Sequence, residues 1–233
     1  RFEESDAFML EGFPEEVNNE DNLIIEVYKL FAEKNAEKII PVKVTLLKNE
    51  IPIARGLGSS ASCILAAIIA ANEIHHVGKT LEECAMVASL LEGHSDNIFA
   101  CAFGGLVASF TEGLRSYHMQ QFEVHESLRF FALIPEKGLP TVTLRERLPK
   151  KVPYIDAVFN LQRMIFLPDV FKSGNLVQLK ALLKDQLHEK YRYETIPNIE
   201  KVKALTIQDD IIGVISGSGP TMLFISDYDL RLD

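Results

Sequence analysis

Eleven residues, Pro52-Ile53-Ala54-Arg55-Gly56-Leu57-Gly58-Ser59-Ser60-Ala61-Ser62, constrain this chain more than any other stretch, because they run straight into an alanine-, isoleucine- and leucine-rich segment with no breaker before Ile74. Gly56 and Gly58 let the backbone turn tightly and bring a ligand close to the main chain. The successive N–H groups that open the following helix, with the helix dipole behind them, make an anion site. Ser59, Ser60 and Ser62 add hydroxyls able to bind phosphate oxygens or a magnesium ion. Taken alone, the string is also compatible with a plain loop and helix cap. It is not a Walker A loop, since no lysine follows the second glycine.

Composition narrows the setting. The chain has 233 residues, of which 47% are apolar and 24% charged, the make-up of a globular protein with one large domain or two compact ones rather than a disordered chain. A net charge of −9 opposes nucleic acid and anionic membranes as partners, because both require a basic face. A small anionic ligand needs only a local positive site. No apolar run approaches the roughly 20 residues of a membrane-spanning helix, and the richest, 64–71, reads as a buried helix. The opening Arg1-Phe2-Glu3-Glu4 lacks the basic-then-apolar pattern of a signal peptide. Cys63, Cys84 and Cys101 form an odd set without CxxC spacing, so they read as small buried hydrophobes in a reducing compartment, which makes the cytoplasm the expected location.

Along the chain, Asp21-Asn22 can cap a helix whose apolar positions Leu23, Val27, Leu30 and Phe31 recur at helical spacing. Val42, Val44 and Leu46 follow as an imperfect strand, and the spacing predicts a buried helix over 59–74. Thr80 with Glu83 is a capping box that starts another helix. Gly104-Gly105 precedes a strand at 106–110. The polar stretch 113–127 reads as a hairpin or linker, with a domain boundary near 113–128. A strand at 130–134, helices at 154–166, 176–187 and 199–205, and a strand pair at 211–215 and 221–225 complete the pattern. No internal repeat or low-complexity tract is visible.

The eleven-residue string resembles the ATP-binding motif of the GHMP kinases, a family that includes galactokinase, homoserine kinase, mevalonate kinase and phosphomevalonate kinase. Its Pro-x-Ala-Arg-Gly-Leu-Gly-Ser-Ser form is most similar to the homoserine kinase branch. Gly213-Val214-Ile215-Ser216-Gly217-Ser218-Gly219-Pro220-Thr221 is similar to the family's C-terminal glycine motif. Glu92-Gly93-His94-Ser95-Asp96-Asn97, followed by Gly104-Gly105, resembles the branch signature Glu-Gly-His-Pro-Asp-Asn, with Ser95 departing at the proline. Thr141 and Arg145, ahead of Leu148-Pro149-Lys150, resemble the branch's Ser-Thr-x-x-x-Arg-x-x-Leu-Pro-Lys stretch.

The resemblance implies an α+β, two-domain α/β protein of the GHMP kinase fold. Residues 1–120 would form an ATP-binding domain like the second domain of ribosomal protein S5. Residues 121–233 would form a ferredoxin-like C-terminal domain. It implies ATP-dependent phosphorylation of L-homoserine to O-phospho-L-homoserine, in threonine biosynthesis, with ATP and Mg²⁺ and as a homodimer. Another GHMP small-molecule kinase of mevalonate-pathway type, or a non-catalytic nucleotide- or amino-acid-binding homologue, are the alternatives. Residues 52–62 would hold the ATP phosphates, with Ser60 and Glu92 as magnesium ligands and Glu92, Asp96 and Asn97 as the catalytic set. Asp96 and Asn97 both remain candidates for the base position, and an Asn there would leave catalysis to positioning and charge. His94, Asp96, Asn97, Thr141, Arg145, Arg192, Gly217 and Ser218 would meet the acceptor, the two arginines pairing with its carboxylate. The other histidines, His75, His76, His118, His125 and His188, show no metal-ligand spacing and are expected at the surface. The family's opening strand and its Pro-x-Ser-x-Asn-Leu-Gly-Pro-Gly-Phe-Asp motif have no match here, and omission from the sequence is expected over truncation.

Overall fold

The structure is a computed structural model that describes residues 1–19, 21–112, 116–139, 144, 146–207 and 210–230. The chain divides into two compact units, one formed by Arg1–Ile51 with Gly58–Gln121 and the other by Pro52–Leu57 with Phe122–Asp233. The division therefore falls inside the glycine loop, between Leu57 and Gly58.

In the first unit, strands β1 (Phe2–Glu4), β2 (Met9–Glu11) and β3 (Val42–Thr45) form a sheet with β3 central. β1 runs antiparallel to β3 with Phe2 opposite Val44, and β2 runs parallel to it with Leu10 opposite Val44. Helix α1 (Leu23–Asn35) starts where the sequence expects it, with the Asn22 side chain accepting from Ile24 N at 2.9 Å. Helix α2 (Ser59–Ile74) buries Ala61, Ile64, Leu65, Ala67, Ile68 and Ala71. These pack with Tyr28 and Phe31 of α1 and with Val42 and Val44 of β3 in one core. Each large aliphatic side chain so covered contributes about 1.5–3 kcal/mol relative to exposure. The small alanines allow α2 a close approach to its neighbours.

The α2–α3 connection is fixed by Asn72, whose amide donates to Lys79 O at 3.1 Å and accepts from Lys79 N at 2.9 Å. Helix α3 (Leu81–Glu92) opens on the expected capping box, Glu83 N donating to Thr80 Oγ1 at 3.2 Å and Thr80 N to Glu83 Oε2 at 2.8 Å. A short helix α4 (Asp96–Phe103) leads into β4 (Leu106–Glu112), which pairs with β5 (Ser116–Phe122). Of the two readings of the polar stretch, hairpin or linker, the pairing of β4 with β5 bears out the hairpin. Its Tyr117 and Met119 pack on the core while Ser116, His118 and Gln120 are polar and exposed, so the apolar signal is only half a strand.

In the second unit, β6 (Arg129–Leu133), β7 (Ile212–Ile215) and β8 (Met222–Ser226) form an antiparallel sheet in the order β6-β8-β7, with Phe131 opposite Phe224 and Ile215 opposite Met222. Helices α5 (Tyr154–Met164), α6 (Leu167–Ser173), α7 (Leu176–Leu182), α8 (Glu189–Arg192) and α9 (Ile199–Leu205) fill the interval. Ile196, Val202, Ile211, Ile215, Met222 and Phe224 form a core of this unit. The helix expected over 176–187 ends at Leu182. Past it, Asp185 takes the backbone N–H groups of Leu187, His188 and Glu189 on its Oδ1 and ends helical continuity.

Two further expectations are corrected. His75 is half-buried rather than superficial: its Nε2 accepts from Ile40 N at 3.2 Å, beside a fully buried Tyr28 whose hydroxyl donates to Ile40 O at 3.0 Å. His188 is half-buried as well, with Nδ1 3.3 Å from Arg192 Nη1. Of the cysteines only Cys84 is buried, Cys63 being half-buried and Cys101 exposed. Among the described residues no helix is long and apolar enough to cross a membrane.

Candidate active site

The N-terminus of α2 begins at Gly58, which has φ 73° and no side chain to cap the helix. The first N–H groups of a helix have no intrahelical acceptor, and no acidic residue lies in this first turn to offset the dipole. Ser62 spends its hydroxyl locally, donating to Ser59 O at 2.8 Å. Ser60 is exposed, and its hydroxyl donates to Glu92 Oε2 at 2.9 Å. Ala61 faces the core, so only its backbone is offered to a ligand.

Glu92 is the last residue of α3, and Gly93, at φ 85°, turns the chain immediately after it. A carboxylate at a helix C-terminus is opposed by the macrodipole, so local preference does not explain a glutamate here. Its side chain is only 14% exposed and lies 3.7 Å from His94 Nε2 through Oε1. His94 Nδ1 lies 2.6 Å from Asp96 Oδ1. An ionised carboxylate only accepts, so that imidazole nitrogen carries the hydrogen. Asp96 Oδ1 also accepts from Asn97 N at 2.8 Å at the start of α4. Ser95, at the departure from the Glu-Gly-His-Pro pattern, is buried and accepts from Ser109 Oγ at 2.9 Å. Ser60, Glu92, His94 and Asp96 thus form one continuous polar line in the first unit, with Asn97 exposed beside it. Two hard oxygen donors at one point, Ser60 Oγ and Glu92 Oε2, suit a magnesium ion, which takes one or two protein ligands and fills the rest with water and phosphate oxygens. Among the described residues no group of three or more His, Cys, Asp and Glu forms a metal cage.

The other half of the glycine loop, Pro52–Leu57, is clamped within the second unit. The Arg55 guanidinium donates to the carbonyls of Ile53, Pro135 and Glu136, so that side chain is a scaffold of the loop. Leu139 N donates to Ala54 O at 3.0 Å, and Thr221 N to Arg55 O at 3.3 Å. Gly56 has φ 78°, and a Cβ there would lie 2.8 Å from both Gly219 N and Gly219 O and closer still to Ser216 O. Ser216 Oγ donates to Gly56 O at 2.8 Å. The two glycine motifs, 160 residues apart, are therefore packed backbone to backbone. The 135–139 clamp had no signal in the sequence beyond Gly138, where a Cβ would meet Ala54 O at 2.8 Å.

Arg192 is buried and donates from Nη1 to Gly217 O at 3.1 Å, beside Ser218 in the same turn. It stands on α8, whose preceding Asp185 also accepts from Asn160 Nδ2 at 2.6 Å. Burial alone would raise that carboxyl. The N–H groups of His188 and Glu189, the Asn160 amide and the His188 charge outweigh it and hold Asp185 below the usual carboxylate range. Thr141 and Arg145 lie outside the described residues. The sequence carries no signal that assigns Asp185 or Glu189 to this site, and His188 was expected only as a surface residue.

Residues 22–105 match the family model "GHMP kinases N terminal domain". The chain is 33% identical to homoserine kinase of Clostridium beijerinckii over 223 residues, covering 95% of this chain and 74% of that protein. Its fold is similar to a crystal structure of homoserine kinase from Cytophaga hutchinsonii, with TM-score 0.76 and 23% identity over 97% of this chain and 75% of that one. It is also similar to Streptococcus pneumoniae phosphomevalonate kinase in complex with phosphomevalonate and AMPPNP, with TM-score 0.74 and 13% identity over 98% of this chain and 82% of that one. A relative one-third identical across nearly the whole chain, and a fold shared with other GHMP kinases, place it: the chain belongs to the homoserine kinase family of the GHMP kinases.

Proposed function

We propose that this chain transfers the γ-phosphoryl group of ATP to the side-chain hydroxyl of L-homoserine, giving ADP and O-phospho-L-homoserine for threonine biosynthesis. The observation that carries the reading is the Ser60–Glu92 contact at the open N-terminus of α2. Phosphoryl transfer asks the protein mainly for positioning and charge stabilisation. The backbone N–H groups at the start of α2 hold the phosphates in this scheme, and Gly56 and Gly58 keep the loop free of side chains. Ser60 and Glu92 would hold Mg²⁺, which when bound neutralises charge on the β- and γ-phosphates. His94, Asp96 and Asn97 orient the acceptor, Asp96 attracting its ammonium. Asp96 Oδ1 already accepts from His94 and Asn97, which fixes the orientation of its carboxylate. Catalysis on this reading rests on orientation: the γ-phosphorus bond to the β–γ bridging oxygen breaks, leaving ADP, as the new P–O bond to the acceptor oxygen forms, and the hydroxyl proton passes to the transferred phosphoryl group and on to solvent. Arg192 and Arg145 are assigned to the acceptor carboxylate, with Thr141, Gly217 and Ser218 beside it. Residues 1–120 are read as the ATP-binding domain and 121–233 as the C-terminal domain, in a cytoplasmic homodimer.

A coupled ADP-release assay of the full-length protein with homoserine, serine, threonine and mevalonate tests the acceptor. Homoserine is expected to give the highest kcat/KM, and chelation of Mg²⁺ to abolish turnover. Turnover of mevalonate with none of homoserine would move the chain to another acceptor class.

A further inference from the structure

We infer that Glu189 is a positioning residue, whose buried carboxylate fixes residues 215–217 and through them both the Gly56 side of the phosphate loop and the Arg192 guanidinium. Helix α8 has four residues and cannot hold itself by its own hydrogen bonds. Asp185 organises its start by accepting from the N–H groups of Leu187, His188 and Glu189. Glu189 is then carried into the interior, 6% exposed. A buried carboxylate is costly unless both oxygens are matched, and here both are: Oε1 accepts from Ile215 N at 2.8 Å and Oε2 from Tyr193 Oη at 2.9 Å. Burial, with the Glu189 charge and hydrogen bond, raises the Tyr193 phenol and keeps it a donor.

What the carboxylate grips is specific. Among the described residues β7 has a strand neighbour on one side only, and Glu189 accepts the outward N–H of its last residue, Ile215. One turn further along α8, Arg192 donates to Gly217 O. Between these two, Ser216 donates to Gly56 O. Residues 215 and 217 are therefore held by α8, and residue 216 is fastened to the loop assigned to the ATP phosphates. A purely stabilising carboxylate would need none of this alternation. The inference rests on the ATP-dependent phosphotransfer reading for its kinetic readout, but its binding readout needs no acceptor.

The test uses the full-length protein and AMPPNP, a non-hydrolysable ATP analogue, titrated by calorimetry, with steady-state KM values for ATP and homoserine. Glu189→Ala is expected to raise the analogue Kd and both KM values by about tenfold, the scale of a slightly misplaced binding group. Glu189→Gln, which can still accept from Ile215 N and donate to Tyr193 Oη, is expected to restore them to within about twofold. Leu179→Ala, which removes a fully buried side chain of α7, is the control expected to lower Tm without changing Kd. Ser216→Ala cuts only the link to Gly56 and should weaken the analogue while leaving the homoserine KM near wild type. A folded Glu189→Ala protein with wild-type analogue affinity, or a Ser216→Ala protein with unchanged affinity, would overturn the inference. A Glu189 effect on the analogue without any turnover of homoserine would instead leave the inference standing and remove the acceptor assignment.

Discussion

Ser60 and Glu92, 32 residues apart, meet at 2.9 Å, the hydroxyl donating to Oε2 where the dipole of α2 is positive. The contact sets a carboxylate that α3 itself disfavours at its C-terminus beside the N–H groups of a second helix. Glu92→Gln keeps the shape and removes the charge. It is expected to lower kcat by about 10²–10³-fold, the usual effect of removing one electrostatic stabiliser. Ser60→Ala should be milder than Glu92→Gln. Rates at saturating ATP and homoserine, beside far-ultraviolet circular dichroism to show an intact fold, check both.

The two loop glycines should respond unequally. Gly58 has φ 73°, and a Cβ added there would meet nothing within 4 Å, so Gly58→Ala incurs only backbone strain, about 1–2 kcal/mol. Gly56 adds to its φ of 78° a collision with the backbone of residues 216 and 219. Gly56→Ala must therefore separate the two glycine motifs, and a larger Tm loss together with a rise in ATP KM of about tenfold or more is expected. Thermal melts and KM measurements on the two variants separate the cases.

Local signals account for what was legible in the sequence. Asn22, Thr80 with Glu83, and the breaker-free run after Gly58 each satisfy or expose helix-terminal N–H groups within four residues, so α1, α2 and α3 start where the sequence puts them. The glycine loop reads as an anion site for the same reason, whereas the Glu92–Asn97 segment stands out only through its resemblance to the family signature. What was hidden depends on distant partners. Nothing in Gln186-Leu187-His188-Glu189 distinguishes a continuing helix from a chain folded around the Asp185 carboxylate, because the outcome is decided by Asn160 and Ile215. Likewise, nothing in the string around Arg55 shows that its guanidinium donates to the carbonyls of Pro135 and Glu136.

Asp185 predicts a pH dependence. Its carboxyl is held below the usual range, so its contribution to stability is complete above the unfolded carboxylate value of about 4 and is lost as pH falls through the lower folded value. Asp185→Asn should cost about 1–3 kcal/mol at pH 7, and the gap to wild type should close as pH drops below about 4. Denaturant melts of both proteins across pH 3–7 check the convergence. A gap that stays constant would show that the charge of Asp185 is not what stabilises α8.

Thr221 offers a test of the glycine motif itself. Its side-chain oxygen is buried with no hydrogen-bond partner among the described residues, although its backbone N–H donates to Arg55 O. A buried unsatisfied hydroxyl is a standing cost, and a valine of the same shape removes it. Thr221→Val is expected to raise stability by about 1 kcal/mol. If the Tm rises while ATP KM stays constant, the hydroxyl faces protein; a rise in ATP KM would place it toward the nucleotide.

Transfer of phosphate from ATP to the homoserine hydroxyl at the proposed site around Ser60 and Glu92 leaves a direct spectroscopic trace. Phosphorus NMR of the full-length protein with ATP, Mg²⁺ and L-homoserine measures this directly. A phosphomonoester resonance of O-phospho-L-homoserine is expected to grow as the γ-phosphate signal declines, and to be nearly absent with Glu92→Gln. Decline of the γ-phosphate signal into inorganic phosphate alone, or a monoester that forms equally well with Glu92→Gln, would contradict transfer at this site.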